Sequence, residues 1–359
     1  MNFKKTINQS SPLIGLAPMD GVTDYPFRQI QSEISKPDVM FTEFVSADGI
    51  SRGGVKLYDQ LLFTPNQRPI VAQLFGKNPD TFYSATVILC HLGFDGIDIN
   101  LGCPAKTVTN HGSGASLIAQ PKTASQLIKA VQSGVGDCYK STTSLSSLHL
   151  PEKILKVIIR NQKFSSVKGS RQHIPTISVK TRTGIDNPVT SKWISHLLEH
   201  KLDFITLHGR TLKQGYSGQA DWMEIKKAAL LTAQTDTKLW GNGDLDNRQQ
   251  ALDYCHRFST NGALIARAAP GNPWIFKNQT ATPKQKFSAM LLHTQIYLQT
   301  FPHRRFDPLR HHFLEYSKGH PQAKKLRRQL VRLNSLSELL KLEEQFVLQS
   351  DNQTTTKVV

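Results

Sequence analysis

Residues 96–114 read GIDINLGCPAKTVTNHGSG. The first part, GIDINLG, is a short run carried by Ile97, Ile99 and Leu101, with little room for a solvent-facing side. Such runs fit strands covered on both faces, as in a parallel sheet. Gly102 and Pro104 then end regular structure, and Cys103 stands at the mouth of a glycine-rich polar loop. Seven other runs share this form: LIGLAPM (13–19), VMFTEFVS (39–46), PIVAQLF (69–75), TISVKTR (176–182), FITLHGR (204–210), TKLWGNGD (237–244) and GALIARAA (262–269). Between them, segments such as TASQLIKAVQS and SKWISHLLEH place apolar residues at helical spacing. Strand and helix alternating eight times predict an α/β chain folded as a (β/α)8 TIM barrel. A doubly wound open sheet is the alternative.

Polar residues gather where these runs end: Asp20, Glu43, Gln73, Asn100, Lys180, Arg182, His208, Arg210, Asn242, Asp244 and Arg267. The C-terminal strand ends are the catalytic face of a TIM barrel. One polar strand end means little, because loops are polar; polar ends throughout point to a site.

The barrel pattern spans residues 1–276. It is interrupted at about 136–173 by a basic, Ser-rich insertion, read as helical at PEKILKVIIRNQ and otherwise mobile. Residues 277–349 read as a small all-α domain, and 350–359 as a disordered tail. The stretch KKLRRQLVRLNSLSELLKL has leucines at helical spacing and basic residues on the other faces.

The 359 residues carry 44 Lys and Arg against 27 acids, a formal charge of +17. That excess argues for a polyanionic partner, either nucleic acid or an anionic membrane surface. No run reaches the roughly 18 apolar residues of a membrane span, and no signal peptide is apparent. Four cysteines, none in a CxxC pair, suit a reducing cytoplasm and disfavour zinc.

The strand ends suggest specific chemistry. Gly243 within NGD and Arg267 within ARAAPGNPW follow strands seven and eight, where barrels often hold phosphate. Lys180, His208 and Gln73 form a set suited to a flavin ring, which proteins tune by charge and hydrogen bonds. For Cys103 the residues alone leave nucleophile and proton donor open.

Taken together, LAPMDGVTDYPFR, GFDGIDINLGCPAKTV, VKTRTG, LHGRTLKQGYSG, WGNGDL and ARAAPGNPWIF resemble the tRNA-dihydrouridine synthases, with motifs most similar to the bacterial B-type subfamily. The resemblance covers about residues 13–276. It implies FMN as bound cofactor, NADPH or NADH as reductant, and tRNA as partner. It implies hydride addition to C6 of a uridine with Cys103 protonating C5. Asn100 and Arg182 would hold the uracil, and Lys106 would steer RNA. Ala17, Pro18, Met19, Gln73, Lys180, His208, Asn242, Gly243, Asp244, Ala266 and Arg267 would line the cofactor. Ala266 departs from the glycine usual before the phosphate-loop arginine. The reading is of a cytoplasmic monomer without membrane association. Its rivals are a flavin barrel acting on a free pyrimidine or small enone, and a non-catalytic tRNA-binding protein.

Overall fold

The computed structural model describes residues 3–140, 144–166 and 173–348. Eight parallel strands close into a barrel in sequence order: β1 (Leu13–Leu16), β2 (Met40–Ser46), β3 (Ile70–Phe75), β4 (Gly96–Leu101), β5 (Thr176–Arg182), β6 (Phe204–His208), β7 (Lys238–Asn242) and β8 (Gly262–Ile265). β8 returns to β1 with Leu13 opposite Gly262. The expected barrel is therefore observed, and the open sheet is excluded. Several strands stop short of their apolar runs. β1 ends at Leu16 because Pro18 and a turn closed by Thr23 take over the backbone.

An aromatic stack plugs the end of the barrel at which the strands begin. Phe204 lies on Trp240 with ring centroids 4.4 Å apart, and Phe3 and Phe41 meet Phe204 edge-on. Phe3 comes from a one-turn helix, Phe3–Thr6, and is buried with Ile7 among Leu13, Val39 and Val71. That apolar plug leaves the opposite face to the polar strand ends.

Helix Pro121–Tyr139 runs into the first residues of the segment read as an insertion. The helix expected there is present as Glu152–Phe164. Ile154 and Ile158, four residues apart, are fully buried, which is the burial that orders it. Asn161 donates to the Tyr58 carbonyl at 2.7 Å and Gln162 to the His91 carbonyl at 2.8 Å. Residues 141–143 and 167–172 of this segment lie outside the described residues, as does the tail read as disordered.

The chain forms two compact units. One comprises residues up to Tyr25 and Pro37–Ala266; the other joins Pro26–Lys36 to the chain from Arg267 onward. In the second, helices Pro283–Thr300, Arg310–Tyr316, Ala323–Leu330 and Leu336–Glu343 bury Phe287, Met290, Tyr297, Phe313, Leu326 and Leu339. Pro283–Thr300 opens with a capping box between Thr282 and Gln285. Gln31 ties the early segment in by donating to the Pro273 carbonyl at 2.9 Å. Phe27 stacks on the buried His312, which lies beside the buried His293. On Ala323–Leu330, Leu326 and Leu330 are buried while Lys324, Lys325, Arg327 and Arg328 are exposed.

Candidate active site

The site begins one rung inside the barrel. Register places Gln73, Asp98 and Ser178 side by side on β3, β4 and β5. All three are buried. Asp98 accepts from Gln73 Nε2 at 2.6 Å and from Ser178 Oγ at 2.5 Å. Burial pushes its carboxyl up to about 6, against the pull of those two donors.

Two residues further along β4, Asn100 Nδ2 donates to Gln73 Oε1 at 3.0 Å. Asn100 Oδ1 accepts the backbone N–H groups of Gly102 and Cys103 at 3.1 and 2.8 Å. Asn100 thus shapes the turn that presents Cys103. The Cys103 carbonyl in turn accepts the Ala115 N–H at 3.1 Å. Gly114 makes that closure possible: at φ +63° it is left-handed, and a Cβ there would lie 2.8 Å from the Cys103 carbonyl oxygen. The glycine-rich stretch after the thiol therefore fastens the loop back on itself.

Cys103 is partly exposed, whereas Cys90, Cys138 and Cys255 are buried. Burial raises the Cys103 pKa; Asp20 adds to the rise, while Arg182 and Lys180 oppose it. The sulfur is held as a thiol at neutral pH.

Arg182, at the end of β5, is buried and reaches across the loops. Its Nε donates to the Gly102 carbonyl at 2.8 Å, and one terminal nitrogen, Nη1, to the carbonyls of Thr211 and Gly215, both at 2.9 Å. Its Nη2 has no hydrogen-bond partner among the described residues. Lys180 opposes Asn100 in the ladder. Among the described residues its ammonium has neither an ion pair nor a hydrogen bond, and burial, with Arg182 adding to it, lowers its pKa to about 8. Lys180 is half-buried, and a partly desolvated ammonium without a partner is costly unless an anion or strong acceptor meets it.

His208 and Asn242 are opposed at the ends of β6 and β7. Arg210 Nη1 lies 3.3 Å from His208 Nε2, and Arg210 Nη2 donates to Asp244 Oδ2 at 2.7 Å. Asp244 also accepts the Ala220 N–H at 2.7 Å, and Asn242 donates to the Leu264 carbonyl at 2.8 Å. Asp244 and Asn242 thus hold the loops together. Gly243, at φ +124°, passes so close that a Cβ would lie 2.6 Å from Ala220 Cβ and 2.9 Å from His208 Cδ2.

Ala17 is buried with its N–H on the Ile265 carbonyl, and the Pro18–Met19 turn is closed by Thr23. Glu43 reinforces that turn by accepting the Gly21 N–H at 2.8 Å. Ala266 packs against the apolar core of the barrel. Lys106 is exposed at the start of the short helix Lys106–Thr109. Arg267 is exposed and belongs to the second unit.

The barrel rung and strand ends thus bring together Gln73, Asn100, Cys103, Lys180 and Arg182 through β3–β5, and His208, Asn242, Gly243 and Asp244 at β6–β7. Sequence reading missed Asp98 and Ser178, and it gave Arg210 no role. The signal for Asp98 was present: an acid in the middle of an otherwise apolar strand has to be paired.

A family model described as "Dihydrouridine synthase (Dus)" matches residues 15–147 and 165–352. The chain belongs to that family. Its members are oxidoreductases, and the motifs that suggested the resemblance lie on the strand ends just described. A "Probable tRNA-dihydrouridine synthase" of Staphylococcus epidermidis is 30% identical over 98% of each chain. A "Probable tRNA-dihydrouridine synthase 2" of Bacillus subtilis is 30% identical over 93% of this chain and 94% of its own. Among solved structures, morphinone reductase in complex with tetrahydroNAD aligns with TM-score 0.43 and 9% identity, over 74% of this chain and 85% of that one.

Proposed function

We propose that this chain reduces a uridine of tRNA to 5,6-dihydrouridine. The carrying observation is Lys180: a half-buried cation at the catalytic face of a barrel, partly desolvated and given no hydrogen-bond or ion-pair partner by the described residues. A ring that becomes electron-rich on reduction is a fitting partner for it. Gln73 offers an amide fixed by two hydrogen bonds, and Gly243 lets its loop pass tight against Ala220 and His208, where any Cβ would collide. These features fit FMN, with Ala17–Met19 and His208 lining it and Arg267 and Ala266 at its phosphate end. When bound and re-reduced by NADPH or NADH, FMN would supply the hydride that adds to C6 of uracil.

The chain's own residues do the rest. Cys103 holds a proton on sulfur, because burial disfavours the thiolate, and delivers it to C5 as a general acid. The Arg182 Nη2 donors and the second N–H of the Asn100 amide face a carbonyl-bearing base edge. Bringing a uridine to this face requires flipping it out of the folded RNA. The exposed cations of Ala323–Leu330 supply backbone-phosphate contacts, with Lys106 beside the thiol. In this reading residues 1–276 carry the chemistry and 277–349 grip tRNA. The working form is a cytoplasmic monomer.

The test is to supply NADPH and undermodified tRNA to the purified yellow protein and detect dihydrouridine by mass spectrometry. Turnover with free uridine but not tRNA would overturn the substrate assignment; binding of tRNA without any turnover would overturn the activity.

A further inference from the structure

Four hydrogen bonds run in series from Ser178 to Cys103, the first three buried and the last partly so, and one group determines the direction of all of them. An ionised carboxylate can only accept. Asp98 sits between Ser178 and Gln73, so the hydroxyl of Ser178 and the amide nitrogen of Gln73 must both turn toward it. Gln73 is then left with its oxygen facing Asn100, so Asn100 must offer its nitrogen there. That leaves the Asn100 oxygen for the N–H groups of Gly102 and Cys103. Either amide turned by 180° would set oxygen against oxygen or N–H against N–H at 2.6–3.1 Å.

We propose that Asp98 is a positioning residue: its acceptor-only carboxylate fixes the orientation of the Gln73 and Asn100 amides and, through them, the backbone turn that presents the Cys103 thiol. Asp98 reaches no substrate, being one rung below the strand ends and fully buried. A carboxylate here costs desolvation that an asparagine or serine would avoid, so its presence calls for a use beyond filling space.

The inference rests on the proposed reaction only for its turnover arm; the thiol arm stands without it. Cys103 is the one partly exposed cysteine among four, so alkylation by iodoacetamide at fixed pH reports on its presentation. Asp98→Asn keeps the volume but can present either oxygen or nitrogen to Gln73. The alkylation rate of the full-length protein is expected to change by about tenfold, the scale of one buried hydrogen bond lost. Ser178→Ala removes the other partner of the same carboxylate and leaves the polarity intact, so its rate stays within about twofold.

The decisive variant is the exchange Gln73→Glu with Asp98→Asn. The carboxylate, moved to position 73, now accepts from the new amide at position 98 on one side and from Asn100 on the other. Asn100 regains its direction and the parent alkylation rate returns. The exchange also keeps one charge in the network, guarding against a single variant that fails to fold. Turnover on tRNA falls with kcat rather than KM in Asp98→Asn. An Asp98→Asn rate equal to that of Ser178→Ala, or an exchange variant no closer to the parent than Asp98→Asn, would overturn the proposal. Thiol results as expected with no dihydrouridine formed by any variant, parent included, would sink the reaction and leave the positioning role standing.

Discussion

The ends of β3–β5 and the helix Ala323–Leu330 are both rich in polar side chains, yet they are built on opposite plans. At the strand ends nearly every polar atom is engaged by another: Asp98 by Gln73 and Ser178, Asn100 by Gln73 and two backbone N–H groups, Arg182 by three carbonyls. What remains open there is little: the Lys180 ammonium, the Arg182 Nη2 and the Cys103 sulfur. On the helix, four cations face solvent above Leu326 and Leu330. The first region fixes atoms to within a hydrogen bond; the second only sets a field. Bond-making needs geometry, whereas phosphate attraction needs charge density and tolerates side-chain motion.

That contrast can be broken most sharply at Cys103. Replacing it by Ala is expected to lower tRNA turnover by about a hundred- to ten-thousandfold, the range of a lost general acid, with tRNA binding unchanged in a filter or anisotropy assay. Loss of binding instead would mean that the thiol serves the docked complex rather than the chemistry. Next in size is Lys180→Met, expected to weaken flavin retention and raise the concentration needed for half-saturation by about tenfold or more. A yellow protein of unaltered flavin affinity would show that the ammonium has some other partner.

The helix should respond differently. Replacing Lys324, Lys325, Arg327 and Arg328 together by Gln is expected to weaken tRNA binding and to reduce the salt slope by up to about 3. The rate of dihydrouridine formation at saturating tRNA should hold. A single replacement among the four should cost only a small part of that effect, since no one contact is specified. An equal fall in maximal rate and in affinity would erase the distinction between the two regions.

The smallest effect expected separates the two units by pH. Asp98 is raised to about 6 by burial, so between neutral pH and the ordinary carboxylate range the fold takes up a proton more readily than the unfolded chain does. Stability carried by its neutral form is present at low pH and lost as pH rises through 6. His293 is lowered to about 3 and His312 well below its usual value, both by burial. Stability carried by these neutral imidazoles is present above the unfolded value near 6.5 and is lost below it, by up to about 1.4 kcal/mol per pH unit for each ring. Moving from pH 7 to 5 should therefore lower the hydrogen-exchange protection factors, taken relative to the intrinsic rate at each pH, in peptides of Pro283–Thr300 and Arg310–Tyr316 and raise them in β3–β5. Protection factors that shift the same way in both would contradict these assignments.

The strands were legible because each parallel strand is a short apolar run with a polar residue at its end, and the barrel follows from repeating that pattern. The Glu152–Phe164 helix was legible from the four-residue step between Ile154 and Ile158. The grouping of Pro26–Lys36 with residues more than two hundred positions later was not, because the bond from Gln31 to the Pro273 carbonyl leaves no periodic trace. Of the site, the residues at strand ends could be read from their position. Those that act beneath them were missed: Asp98 gave a signal only as an acid inside an apolar strand, Ser178 gave none, and Arg210 reads as one more loop cation until Asp244 is found beside it. Asn242 and Asp244, expected at a phosphate, also hold the loops together, a role only contacts reveal.

The burial that keeps the proton on Cys103 has a chemical consequence for the life of the protein. Oxidants attack thiolates far faster than thiols, and the other three sulfurs are out of reach. If Cys103 is the proton donor of the proposed reaction, the tuning that makes it an acid also makes it a poor target for peroxide, and the chain would keep that sulfur at a solvent-reached loop without losing it to a sulfenic acid.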